Sequence, residues 1–316
     1  MALSRIAQFA TSPLLSNFAV TSSQNAIRPV GQFIAPICEV PDINFRYKKY
    51  TEKNRYKVPI TRRQPGGGVT QIGFSADDVV AVLQPNALDF PIHNADNLSD
   101  EGLQFAMMEG TGCLADASAM ALENEIITGA QAASLASPLT QEADFSDPFV
   151  DPVALIDALI LKVVKAAKNG APIKVLFGPS KFKQFRNNPL IKSRFVVSDL
   201  PAAPAGTLGL LSPQIEDVSE MLMTKPQVRM SQMVIDMSAE GMPENIQFFL
   251  DNMVLVFASS DTPNRMDQSF AKTFTVRGGL FKSGAYSSED ERDQVLKMDW
   301  TTLPAITNPG AMGALI

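Results

Sequence analysis

The chain is poor in the side chains that most enzymes lean on. Its 316 residues include one histidine, two cysteines and one tryptophan. A catalytic triad or a histidine general base would have to use His93. That residue stands near Pro91, Asn94 and Asp96 in what reads as a strand-to-helix connection, and it is read as non-catalytic. Cys38 and Cys113 are too few for a disulfide framework. With one histidine beside them they also argue against a zinc site built from Cys and His. Cys38 follows Pro36 and Ile37 in an apolar run, and Cys113 falls on a helical stripe, so both are expected as packed small hydrophobes. A reducing compartment is the default for such thiols. No stretch approaches eighteen consecutive apolar residues, so no membrane-spanning helix is expected.

Cations are missing from a long stretch as well. Residues 64–161 contain no Lys or Arg and fifteen acids. Residues 41–63 are the reverse. Arg46, Lys48, Lys49, Lys53, Arg55, Lys57, Arg62 and Arg63 face only Asp42 and Glu52, a balance of +6. Residues 162–229 carry eleven bases against four acids. The net charge of −6 therefore averages over blocks that bear on association rather than on fold. With 45% hydrophobic and 19% charged residues, the chain can bury an ordinary core.

Phosphate-binding motifs are also incomplete. Gly66-Gly67-Gly68 follows Pro65 but lacks the Gly-Lys-Ser/Thr ending of a P-loop and precedes no helix, so it reads as a turn. The segment from Gly206 to Gly209 is equally weak. Asp77 with Asp78, and Glu123 with Glu125, lack the spaced oxygen ligands of a calcium loop and read as solvated or partner-facing charge. Phe45, Tyr47, Tyr50 and Tyr56 interleave with the basic block as in single-strand nucleic-acid binders. The acidic block beside it would repel the same polyanion. No metal and no cofactor are expected.

Periodicity supplies the elements. Residues 1–40 read as an irregular arm; 1–38 hold no acid and two arginines. That composition is shared with transit peptides, but two arginines are sparse and no basic n-region with an apolar h-region is present. Residues 43–75 read as a long hairpin with a Gly-rich tip, because Ile43, Phe45 and Tyr47 alternate with polar residues, as do Tyr56, Val58 and Ile60. It has too little apolar content to stand alone. Residues 98–128 read as a long helix with a stripe through Leu103, Ala106, Met107, Gly110, Cys113, Leu114, Ala117, Met120 and Ala121, and an acidic face of Glu109, Asp116, Glu123 and Glu125. Residues 130–150 read as a linker. Asp151 and Pro152 start a second helix. Strands are expected at residues 173–177, 227–237, 247–258 (with a turn at Asp251 and Asn252), 271–277 and 294–300. Short helices are expected after Gly178 and over 212–223, and a soft tail over 309–316.

Three segments carry a resemblance. Residues 41–78, PDINFRYKKYTEKNRYKVPITRRQPGGGVTQIGFSADD, resemble the extension loop of the major capsid proteins of tailed bacteriophages. Residues 173–195, IKVLFGPSKFKQFRNNPLIKSRF, resemble the strand, Gly-Pro turn and aromatic helix of that family's axial domain. Residues 248–279, FFLDNMVLVFASSDTPNRMDQSFAKTFTVRGG, resemble the strands by which its chain returns to the peripheral domain. The resemblance covers about residues 35–300, and the order of the motifs is its strongest part.

What it implies is an α+β chain with the Hong Kong 97-type capsid fold. The arm would be residues 1–42 and the extension loop 43–76. The peripheral domain, with a long spine helix, would be 77–149 and 259–316, and the axial domain 150–258. It implies a non-enzymatic subunit that self-assembles as hexamers and pentamers into the icosahedral head enclosing phage double-stranded DNA, without sequence-specific binding and without a membrane. Assembly would take place in the bacterial host cytoplasm. Portal, a separate scaffolding protein and, as an optional addition, a decoration protein would be partners. No charged helical scaffolding segment precedes residue 40. Lys48, Lys49, Lys53 and Lys57 lie where some relatives form crosslinks, but no partner asparagine is identified and no crosslink is inferred. The expected subunit interface joins Arg46, Lys48, Lys49, Arg62 and Arg63 to Asp100, Glu101, Glu109 and Asp116 of a neighbour's spine helix. The alternatives are an encapsulin-like nanocompartment shell on the same fold, which neighbouring genes would reveal, and an α+β enzyme, which would need a convergent catalytic set.

Overall fold

The structure is a computed structural model. It describes residues 30–49, 62, 77–93, 100–167, 171–194, 213–238, 241–265, 267–287 and 293–316. The expected strand around Tyr56, the Gly-rich tip, the hairpin's return up to residue 75 and the expected helix start at residue 98 lie outside these residues.

Residues 30–40 belong to the core and are not an irregular arm. Helix α1 (Gly31–Ile34) buries Phe33 and Ile34, and strand β1 (Ile37–Val40) pairs in parallel with a later strand. Strands β2 (Asn44–Lys49) and β3 (Asp77–Val82) form an antiparallel ribbon. After Leu83 the chain continues directly into β4 (Gln84–His93). Strand β4 is hidden in the sequence although Leu88, Phe90 and Ile92 alternate within it, because Pro85 and Pro91 argue against a strand. Its one partner among the described strands is β12, so the prolines cost little on an open edge.

Helix α2 runs Asp100–Ala136, 37 residues and about 55 Å long. It overruns the expected end at residue 128 and takes in the first third of the expected linker. Ala130, Ala132, Ala133 and Ala136 favour helix, and Pro138 stops it. Its buried face holds Leu114, Ala115, Ser118, Ala119, Leu122, Ile126 and Ile127. The expected stripe was rotated: Cys113, Ala117 and Ala121 are exposed, so Cys113 is not a packed core residue. Alanine and glycine occur on every side of this helix, so period alone marks its inner face poorly. Gly110 is required where α2 crosses the sheet, since a Cβ there would lie 2.8 Å from both Leu296 and Phe90.

Helix α3 (Pro152–Ala167) follows, then β5 (Ile173–Phe177), α4 (Pro179–Asn187), α5 (Pro189–Arg194), α6 (Ile215–Met221) and β6 (Gln227–Met230). A ribbon of β7 (Val234–Asp236) and β8 (Ile246–Phe248) leads to β9 (Val254–Ala258). Then come β10 (Ala271–Val276), β11 (Phe281–Ser287), β12 (Asp293–Ile306) and, after a 3₁₀ turn, β13 (Met312–Leu315).

Two sheets result. In the first, β12 pairs with β4 along ten residues and with β10 and β11 over successive stretches, while β1 flanks β10. In the second the order is β13, β9, β5, β6. Alternation divides its side chains: Val175, Phe177, Val254 and Val256 pack with α3, whereas Leu176, Leu255 and Phe257 pack towards α1 and α2. Strand β13 overturns the soft-tail reading. Met312 to Leu315 pair with Phe257 to Val254 and are all buried.

Candidate subunit interface

The ribbon of β2 and β3 shows why the chain presents charge where it does. Period two sends Phe45 and Tyr47 inward, where their rings lie 4.6 and 5.3 Å from that of Phe274, in a small core with Cys38, Val40 and Leu83. Burial pushes the Cys38 thiol and the Tyr47 phenol up. The outward face pairs Asn44 with Val82 and Arg46 with Val80 in register. Arg46 is exposed, and around it Ile43, Val80 and Val82 are 52%, 64% and 55% exposed. Lys48 and Lys49 therefore stand opposite Asp78 and Asp77 of their own return strand. Arg62 is exposed. Arg63 lies outside the described residues.

The spine helix α2 offers a matching surface in its first half. Glu109 is exposed there, beside Phe105 at 69% and Met108 at 51% exposure. Asp116 is half-buried; desolvation raises its carboxyl, and its Oδ1 has no hydrogen-bond partner among the described residues. The side chains of Asp100 and Glu101 lie outside the described set. Among the described side chains, no ion pair joins Arg46 to Glu109 or Asp116 within one chain. The exposed valines of β3 and the exposed Phe105 and Met108 were not singled out from the sequence, where their exposure leaves no mark.

Glu123 departs from the expected solvated or partner-facing acid. It is buried, and its Oε1 accepts the Gly31 N–H at 2.7 Å, so the spine helix caps the first turn of α1. Burial pushes its carboxyl up to about 7, against the opposing pull of the Gly31 and Val30 N–H groups.

Other polar groups serve structure. His93 Nδ1 lies 3.0 Å from Asp293 Oδ1, at the end of the β4–β12 pairing, and so closes a strand rather than a connection. Buried Lys181 donates to the Ala143 carbonyl at 2.7 Å, and Lys174 pairs with Asp261 at 2.7 Å. Among the described residues, no three His, Cys, Asp or Glu side chains converge to hold a metal ion.

No protein-family model matches the chain, and no curated protein does. Solved structures do. A phage-related protein of Bordetella bronchiseptica RB50 superposes with a TM-score of 0.68 at 15% identity, covering 97% of each chain. The virus-like particle from Pyrococcus furiosus superposes with a TM-score of 0.50 at 10% identity, covering 96% of this chain and 98% of that one. At such identities the likeness is one of fold. A paired ribbon, a 37-residue spine helix laid on a sheet and a second helix-backed sheet, shared end to end with these proteins, identify the Hong Kong 97-type capsid fold.

Proposed function

We propose that the chain is the major capsid protein of a tailed bacteriophage, a non-enzymatic subunit of the icosahedral head that encloses double-stranded DNA. The end-to-end superposition on a phage-related protein carries this reading. The subunit would assemble in the host cytoplasm as hexamers and pentamers, with a portal and a separate scaffolding protein, and reside in the virion. Its domains would be those the resemblance implies, with two changes: residues 30–40 leave the arm for the core, and residues 312–315 join the second sheet.

The ribbon supplies the subunit contact. Its outer face mixes a cation with exposed valines, and the first half of α2 mixes Glu109 with exposed Phe105 and Met108. A neighbour's ribbon laid over that helix would join apolar to apolar and Arg46 to Glu109. Each rim pair would contribute only about 0–1 kcal/mol, but a shell repeats it many times. Size-exclusion chromatography and electron microscopy of the purified protein, alone and with its scaffolding partner, test the reading. Closed shells are expected. A subunit that stays monomeric under every condition would overturn it.

A further inference from the structure

A second ribbon stands out by what it exposes. On β7 and β8, Val234 faces Phe248 and Asp236 faces Ile246 across one surface. Val234 and Phe248 are each 43% exposed and Ile246 is 60% exposed; Met237 and Met242 beside them reach 64% and 68%. A two-stranded ribbon is marginal in water by itself. Here the hydrogen bonds of its described residues pin it at its ends. Asp236 Oδ1 accepts the Ser238 and Asn245 N–H groups near the tip, and at the root Phe249 N–H donates to the Met233 carbonyl at 3.1 Å. The Phe249 carbonyl in turn accepts from Gln131 Nε2 of α2 at 2.7 Å. Residues 231–250 contain Asp236, Glu240 and Glu244 and no Lys or Arg.

One surface elsewhere on the chain complements this ribbon in both polarity and charge. The outward stripe of α3 runs through Ala154, Ala158, Leu161, Lys162 and Lys165, all exposed. Phe149, just ahead of the helix, is 93% exposed, and Met223 is 60% exposed where its N–H is held by Asp157 of α3 at 3.1 Å. Of the other basic surfaces among the described residues, α4 with α5 exposes Lys183 and Arg186 but no large apolar side chain, and the β2–β3 ribbon is already given to the spine-helix contact. The α3 patch and the ribbon root sit on opposite faces of the second sheet, because Leu250 packs in the α2 cluster and α3 in the other. Pairing the two surfaces therefore calls for another molecule.

We infer that the β7–β8 ribbon of one copy docks on the α3 patch of a second copy, with Phe248, Ile246 and Met242 against Phe149, Leu161 and Met223, and Glu244 reaching Lys162 or Lys165. This rests on the shell reading above and adds a contact separate from the β2–β3 ribbon. The two surfaces differ, so the contact is head-to-tail. It leaves a free ribbon at one end and a free patch at the other until a ring closes. Methionine at two of the docking positions suits a joint that must repack between slightly different ring geometries.

The test uses full-length wild-type protein. ¹⁴N- and ¹⁵N-labelled subunits are mixed before assembly, and the particles are treated with a zero-length carbodiimide. Mixed-isotope peptides joining Glu244 to Lys162 or Lys165 are expected. In parallel, Ile246→Asn with Phe248→Asn should raise the concentration needed for assembly at least tenfold while leaving the melting temperature of the isolated subunit unchanged. Shells that form with other mixed-isotope links but without this one, or with this one only inside single-isotope pairs, overturn the ribbon assignment alone. A subunit that never associates overturns both this inference and the shell reading.

Discussion

Glu123 shows how a buried acid becomes a pH-dependent term. Its carboxyl titrates near 7 in the folded chain, against 4.5 ordinarily. Between those values the unfolded chain releases a proton that the folded chain keeps, so stability falls as pH rises through this window and levels off above about 7. The loss is about 3 kcal/mol. Thermal melts of the unassembled subunit from pH 4.5 to 8 should show the decline, and Glu123→Gln should flatten it. A parallel decline in the variant would remove Glu123 as the cause. Gly110 gives a second expectation at this scale. Gly110→Ala inserts a methyl group against Leu296 and Phe90 and should cost about 1–3 kcal/mol by denaturant unfolding, in spite of alanine's better helix propensity.

Elements were legible wherever a period met a clear boundary. Asp151 and Pro152 announced α3, and the apolar run at 173–177 announced β5. The alternation of Phe45 and Tyr47 announced β2, on which both are buried. Legibility failed where a local signal was overruled by distant partners. Strand β4 hides behind two prolines that only an edge position excuses, and β13 looks like a tail until β9 pairs with it. The burial of Glu123 was unreadable for the same reason, since its partner Gly31 lies 92 residues away. Leu315 tests the β13 correction: Leu315→Ala should cost about 2–5 kcal/mol, whereas a soft tail would lose almost nothing. The charge expectation belongs to the β2–β3 ribbon. Arg46→Glu should slow assembly, more so at low salt, with the subunit's circular dichroism unchanged, and Glu109→Arg in the same chain should restore part of the rate. Normal assembly of Arg46→Glu at low salt would show that the ribbon's charge is spent within its own hairpin, where Lys48 and Lys49 already oppose Asp78 and Asp77.

Across the whole molecule, one strand ties the first sheet together. Strand β12 holds ten register pairs with β4 on one side, and β4 is the continuation of β3 beyond Leu83. The β2–β3 ribbon is therefore one end of a rod whose other end is bonded along the length of the sheet. Tension applied to the ribbon runs along β4 and loads its pairs with β12 in shear, all together, instead of peeling them one by one. Pulled through the ribbon in a single-molecule experiment, the first sheet should yield at a higher force than when β4 is pulled sideways from His93. A shell pressed outward by its contents would stretch such ribbons lengthwise, the direction in which this sheet is hardest to open.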